Sequence, residues 1–309
     1  MPRFASFIQP FLFCLCGVLG AAHAQGASPA QGWAGKTVGE TIADRPSNLY
    51  RYEKHRLDSA DGKRHYRIEI SIPRVPAPAG GYAALYMLDG NAAMDTLTED
   101  DLASISGGGH PPVLVAVGYD IPVRNDVVSR AYDYTPPVHE NGKLIAEPVV
   151  RGHVGGGADV FLDFIAARVK PLVRARAGTD PKKEYLWGHS YGGLFVLHTL
   201  FTRPDAFARY IAGDPSVWWH DGALLREWQA FEKERAAGKR VAILVGAKPR
   251  DPARPAPGAS MDTRAIVEDM AEGLRRGGGQ VSYEAFPQYG HGEMIRVSLE
   301  RALRIAAEP

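Results

Sequence analysis

Apolar and polar residues alternate from Tyr66 through Ile68 and Ile70 to Ile72, and Pro73 ends the run; this two-residue period predicts a strand with one face on a core. Farther along, apolar residues come in short solid blocks: AALYMLD at 83–89, VLVAVGY at 113–119, EYLW at 184–187, VAILVG at 241–246 and VSYEAF at 281–286. Strands covered on both faces carry such blocks, because neither face meets water. Between them the period changes. Val160, Phe161, Phe164, Ile165, Val169 and Leu172 follow Asp159 at helical spacing, and further helices are predicted from Leu194 to Phe201, Ala223 to Arg235, Ile266 to Arg275 and Glu293 to Ala306. Strands alternating with helices predict an α/β chain with a mostly parallel central sheet and helices on both faces. Two stretches fit neither period, 120–157 and 247–262, and loops of that length inside a compact α/β domain are more often functional than not.

The first residues do not belong to this pattern. Arg3 and the amino terminus make a basic start, an apolar stretch runs from about Phe11 to Ala22, and Ala22-His23-Ala24 supplies the small residues that precede a signal-peptidase cut. Residues 1–24 are therefore expected to be a signal peptide, 25–46 a loosely ordered arm and 47–309 one domain, exported to the periplasm. No later segment has the roughly 20 consecutive apolar residues of a membrane span. Both cysteines, Cys14 and Cys16, fall in the leader, so the mature chain has neither a disulfide nor a thiolate nucleophile or metal ligand. A formal charge of +1, with basic and acidic residues mixed along the chain, argues against a nucleic-acid partner. Nothing in the sequence fixes the oligomeric state.

Candidate chemistry centres on Gly188-His189-Ser190-Tyr191-Gly192, a G-x-S-x-G pentapeptide. Its context gives it weight: EYLW precedes it as a strand and LFVLHTL follows as a helix, the strand-turn-helix that lifts a serine hydroxyl clear of a sheet. An alcohol is a poor nucleophile until a base takes its proton. His291, in FPQYGHGEM after the last predicted strand, stands where that base is expected, whereas His198 is expected to pack on the helix and His189 to line the pocket or face solvent. The acid that would orient the imidazole is expected in the loop after VAILVG. Asp251 is favoured there; Asp262, Glu268, Asp269 and a Ser-His pair with no direct acid remain open. For the oxyanion, the backbone N–H of Tyr191 and one from Gly90 or Asn91, just past the strand ending near Leu88, are the expected donors.

Several segments together, LYMLDGNAAM, RAYDYTP (130–136), GGADVFLDFIAARVKPLV (156–173), LWGHSYGGLFVLHTLFTRPDAFARYIAGDPSVWW (186–219) and FPQYGHGEM, resemble the esterase D group of α/β-hydrolases over about residues 50–300. Within it they look most like the periplasmic esterases that cut the trilactone backbone of catecholate siderophores such as enterobactin and salmochelin. The resemblance implies an α/β-hydrolase fold with Ser190 as nucleophile, His291 as base, the Asp89-Gly90-Asn91 turn as oxyanion loop and Arg130 at the substrate mouth. It implies no metal and no organic cofactor; iron would arrive only with the substrate. The chain departs from the pattern at Asp214-Pro215-Ser216, where many relatives read Ser-Pro-Ser, and in a long, proline-rich acid loop. A ferric tris-catecholate is a bulky aromatic trianion, so Arg124 and Arg130 with Trp218 and Trp219 are expected to offer it charge and stacking. The rivals are an esterase or acyltransferase for aryl, feruloyl or acyl-sugar esters, and a periplasmic protein that captures the siderophore without cutting it.

Overall fold

Eight strands in the order β1-β2-β4-β3-β9-β10-β11-β12 form the central sheet of the computed structural model, which describes Met1, residues 35–249, Gly258 and residues 260–309. They are β1 (Tyr50–Asp58), β2 (His65–Pro73), β3 (Tyr82–Met87), β4 (Val113–Tyr119), β9 (Thr179–His189), β10 (Arg209–Gly213), β11 (Arg240–Gly246) and β12 (Gln280–Phe286). β2 pairs antiparallel with β1 and β4, and every other pairing is parallel. The six blocks predicted as strands are all strands. Two others escaped the pattern: β1, whose exposed side carries charges, and β10, only five residues long.

The solid apolar blocks have the predicted cause, because both faces of the sheet are buried. Along β4, Val113, Val115 and Val117 face one core while Leu114 and Ala116 face the other; along β11, Val241, Ile243 and Val245 alternate in the same way with Ala242 and Leu244. One face is covered by α1 (Gly90–Thr96), α2 (Glu99–Ser106) and α9 (Met294–Ala306). The other is covered by α4 (Ala158–Phe164), a π-turn at Ile165–Val169, α5 (Lys170–Ala177), α6 (Tyr191–Thr202), α7 (Trp219–Ala230) and α8 (Thr263–Arg276). Each fully buried large side chain, Trp187 and Phe195 among them, contributes roughly 1.5–3 kcal/mol by leaving water.

The stretch 120–157 holds α3 (Ser129–Asp133) and two small hairpins, β5 (Val138–Glu140) with β6 (Lys143–Ile145) and β7 (Val149–Val150) with β8 (His153–Val154). The predicted leader lies outside the described residues apart from Met1. Residues 37–44, expected in a loose arm, are held: Thr37 bridges to Val123, Val38 N–H donates to the Pro122 carbonyl, and Thr41 and Asp44 form a reciprocal cap around a 3₁₀ turn at Ile42–Asp44.

β3 and β9 are neighbours, yet β3 leads into α1 on one face and β9 into α6 on the other. Such a divergence opens a crevice beyond the carboxyl ends of the strands, the place where α/β sheets bind ligands.

Candidate active site

Ser190 occupies this crevice at the junction of β9 and α6, with φ 62° and ψ −118°. A non-glycine residue adopts that strained conformation only when its surroundings enforce it. Here Ser190 N–H donates to the Gly213 carbonyl at 2.9 Å, and the Ser190 carbonyl accepts from Ser216 N–H at 3.1 Å. Glycines in and just after the motif permit the close approach: a Cβ on Gly188 would lie 2.4 Å from the Gly192 carbonyl, and one on Gly193 2.8 Å from the Gly213 oxygen. The sequence therefore folds into the sharp turn that exposes the Ser190 hydroxyl.

His291, in the loop between β12 and α9, places Nε2 3.0 Å from Ser190 Oγ. Its Nδ1 lies 2.5 Å from Oδ2 of Asp214. A carboxylate only accepts, so Nδ1 carries the hydrogen and the Nε2 lone pair faces the serine. The other carboxylate oxygen of Asp214 accepts from Gly246 N–H at 3.1 Å. Burial raises the Asp214 carboxyl, but the hydrogen bond and charge of His291 outweigh it and hold the group below its ordinary value, as an anion.

The carboxylate that reaches His291 is thus not one of those expected. Asp214 follows directly on β10, the unpredicted strand, one strand earlier than the loop after β11. Asp251 lies outside the described residues. Asp262 caps α8 by accepting from Ala265 N–H, and Asp269 of the same helix accepts from Nε1 of Trp228 on α7. Glu268 is an exposed residue of α8.

His189 does not face solvent; it is 7% exposed, and its Nε2–H donates to the His291 carbonyl at 2.8 Å. Burial first, and then the neighbouring His291, push its pKa down to about 3, so it stays neutral. Sequence reasoning missed this anchor because it depends on a contact across 102 residues. His189, Asp214 and His291 also form a cluster whose potential metal-ligand atoms lie within 4.8 Å of one another. The nitrogens of His291 face a hydroxyl and a carboxylate and that of His189 faces a carbonyl, an orientation suited to proton transfer rather than to coordination.

The first N–H groups of a helix have no intrahelical acceptor. Tyr191 begins α6 and Gly90 begins α1, so each presents such a donor beside the crevice. Asp89, left-handed at φ 49°, makes the turn into α1, and its own N–H donates to the Tyr134 hydroxyl at 2.9 Å. The Asn91 side chain ties down the next loop: Nδ2 donates to the Tyr119, Ile121 and Val123 carbonyls, and Oδ1 accepts from Tyr119 N–H.

Arg130 lies where charge at the mouth was expected, but Asp89 holds its guanidinium with two hydrogen bonds of 2.8 Å. Its guanidinium carbon is also 5.1 Å from the centre of the Tyr191 ring. Arg130 thereby braces the turn before Gly90 against the residue after Ser190. Arg124 is a correction: it is 5% exposed, ion-paired with Asp95 and bonded to Thr96 Oγ1, away from the mouth. Trp219 is another, since at 1% exposure it packs beneath Gly155 and has no surface for a ligand. Trp218 is half-buried, its ring centre 6.0 Å from that of Tyr191, and the two offer an aromatic wall near the serine. On the far side of His291 a cleft of about 550 Å³ runs between Thr96, Gly290, Ile295 and Arg296.

Known proteins resemble this chain over most of its length. The family model described as "Putative esterase" matches residues 59–295. The apo-salmochelin esterase of Escherichia coli O6:H1 is 36% identical over 273 residues, covering 87% of this chain and 83% of that protein. The ferri-bacillibactin esterase BesA of Bacillus subtilis is 33% identical over 265 residues, covering 83% of this chain and 90% of its own. Among solved structures, the enterobactin hydrolase IroE in complex with DFP superposes with a TM-score of 0.73 at 35% identity, covering 87% of this chain and 99% of that one. The fold is the α/β-hydrolase fold anticipated from the sequence.

Proposed function

Starting from a chain that belongs to the esterase family matched over residues 59–295, we propose that this serine ester hydrolase is exported and opens the ester bonds of a cyclic trilactone catecholate siderophore. The observation that carries the chemistry is the continuous relay from Ser190 Oγ through His291 to Asp214, with separations of 3.0 and 2.5 Å. Ser190 Oγ attacks the ester carbonyl while His291 Nε2 takes its proton, and Asp214 stabilises the imidazolium that forms. Negative charge then develops on the carbonyl oxygen and is met by the N–H groups of Tyr191 and of Gly90, each the first residue of its helix. Collapse of the tetrahedral intermediate expels the alcohol, which receives its proton from His291. Water, activated by the same imidazole, then hydrolyses the acyl-enzyme.

The substrate class is supported by the likeness to esterases named for salmochelin and bacillibactin, and by the aromatic pair Tyr191 and Trp218, against which a catechol ring can stack. Export is supported by the leader pattern of residues 1–24; among the described residues no helix is long and apolar enough to cross a membrane.

Mass analysis of products after incubating the mature protein and a Ser190→Ala variant with enterobactin tests this reading. Linear trimer and smaller fragments from the unaltered protein alone are the expected result. Intact trilactone together with turnover of simple aryl esters would move the substrate to another ester class. Binding of the trilactone without cleavage would make the protein a capture module.

A further inference from the structure

The hairpin β7–β8 carries an arginine in a position that arginine rarely occupies. Val149 pairs with Val154 and Val150 with His153, so Arg151 and Gly152 alone make the turn, with φ of 53° and 80°. Two positive φ values define the type I′ turn, whose first position favours asparagine, aspartate or glycine. A left-handed arginine is strained there, and such an outlier invites a functional reading.

The hairpin is fastened beside the candidate site. Gly155 N–H donates to the Pro148 carbonyl at 2.8 Å, closing its base, and Gly156 N–H donates to Thr135 Oγ1 at 2.9 Å. A Cβ on Gly155 would lie 2.5 Å from the Trp219 ring, so the base rests directly on the residue next to Trp218. β8 also packs against α3, the helix of Arg130. The charge of Arg151 reaches the Tyr191 phenol, where it opposes the rise that burial imposes. Charge pairing then separates the cations around the mouth. Arg130 is neutralised by Asp89, and Lys248 faces Glu293 at 3.6 Å. Arg151 is exposed and has no carboxylate partner among the described residues.

We propose that Arg151 is a specificity-determining residue that selects for net negative charge on the substrate, favouring the metal-loaded siderophore over the free ligand. The inference rests on the siderophore reading above. Both forms present the same ester bonds; they differ because the ferric tris-catecholate is a trianion, whereas the free catechols keep their protons near neutral pH. An exposed cation at the rim acts on encounter and orientation rather than on the reacting atoms, so its effect belongs in kcat/KM and weakens with salt.

The test compares kcat/KM for ferric and iron-free enterobactin in the unaltered protein, Arg151→Asn and Arg151→Lys. Asparagine fits the turn without the charge, so loss of folding does not obscure the result. Arg151→Asn is expected to lower kcat/KM for the ferric complex about threefold to tenfold at low ionic strength, with kcat preserved and the loss fading as salt is added. The iron-free ligand should be unaffected, and Arg151→Lys should restore the preference. Equal losses on both forms, or no loss on the ferric form, would overturn the proposal. If the unaltered protein cuts neither form, the siderophore reading itself fails, and the same variants are then compared on anionic and uncharged aryl acetates. An unchanged ratio between those two esters would sink the charge-selective role independently.

Discussion

Replacing Asp214 with asparagine should be more damaging to catalysis than removing its side chain altogether. The reason lies in the two hydrogen bonds of the carboxylate. Gly246 N–H donates to Oδ1 and therefore requires an oxygen there, so an asparagine would turn its amide nitrogen toward His291 Nδ1. Nδ1 would have to accept, the ring proton would move to Nε2, and the atom facing Ser190 could no longer take the hydroxyl proton. Wrong-tautomer changes of this kind cost about 10⁴-fold in kcat. Asp214→Ala removes only a charge-assisted hydrogen bond of about 1.5–3 kcal/mol, or roughly tenfold to a hundredfold. The smaller end applies here, since His291 is half exposed and solvent can partly replace the anion. Stability should run the other way: Asp214 has φ 41°, which asparagine tolerates and alanine does not. The assay is steady-state hydrolysis of a nitrophenyl ester by both variants, with thermal unfolding alongside. Equal activity of the two variants, or a more active asparagine variant, would refute the tautomer argument.

Two further outcomes follow from buried histidines. His189→Leu deletes the donor to the His291 carbonyl and should lower kcat about tenfold with KM unchanged, whereas His189→Gln, which can still donate, should lose less; unchanged kcat in the leucine variant would remove His189 from the positioning of the base. His198 is fully buried, 2.9 Å from Glu227 and 3.6 Å from Asp159; burial lowers its pKa, but the carboxylates prevail and lift it from 6.5 to about 9. The folded state therefore prefers the protonated ring, a contribution complete below pH 6.5 and lost as pH rises through 9, worth at most about 3 kcal/mol. Thermal unfolding followed across that window should show a decline in the unaltered protein that His198→Gln lacks, and a flat profile in both would contradict the charged pair.

The serine and the histidine that the structure brings together were legible in the sequence because local pattern encodes both: a strand-turn-helix with glycines around Ser190, and a glycine-flanked histidine after the last strand. The carboxylate that joins them was not, because β10 was not. RYIAG offers three apolar residues behind an arginine, too short a block to stand out, and without that strand Asp214 looked like a loop residue before two tryptophans. The available signal was the Gly-Asp-Pro turn directly after a small apolar run, together with the scarcity of carboxylates near Gly246. Arg124 and Trp219 misled for another reason. Charge and aromaticity can be read from a sequence, but an ion pair with Asp95 and a position beneath Gly155 depend on the fold. β1 escaped because, at the sheet edge, its outward face is charged, as edge strands require.

The central claim is that Ser190 is activated through His291 by Asp214. The most direct measurement is stoichiometric labelling with an organofluorophosphate, followed by peptide mapping and by the rate of labelling in Asp214→Asn. The account predicts one adduct, carried by Ser190, forming orders of magnitude more slowly in the variant. Labelling at another residue, or at Ser190 with the same rate in both proteins, would contradict it.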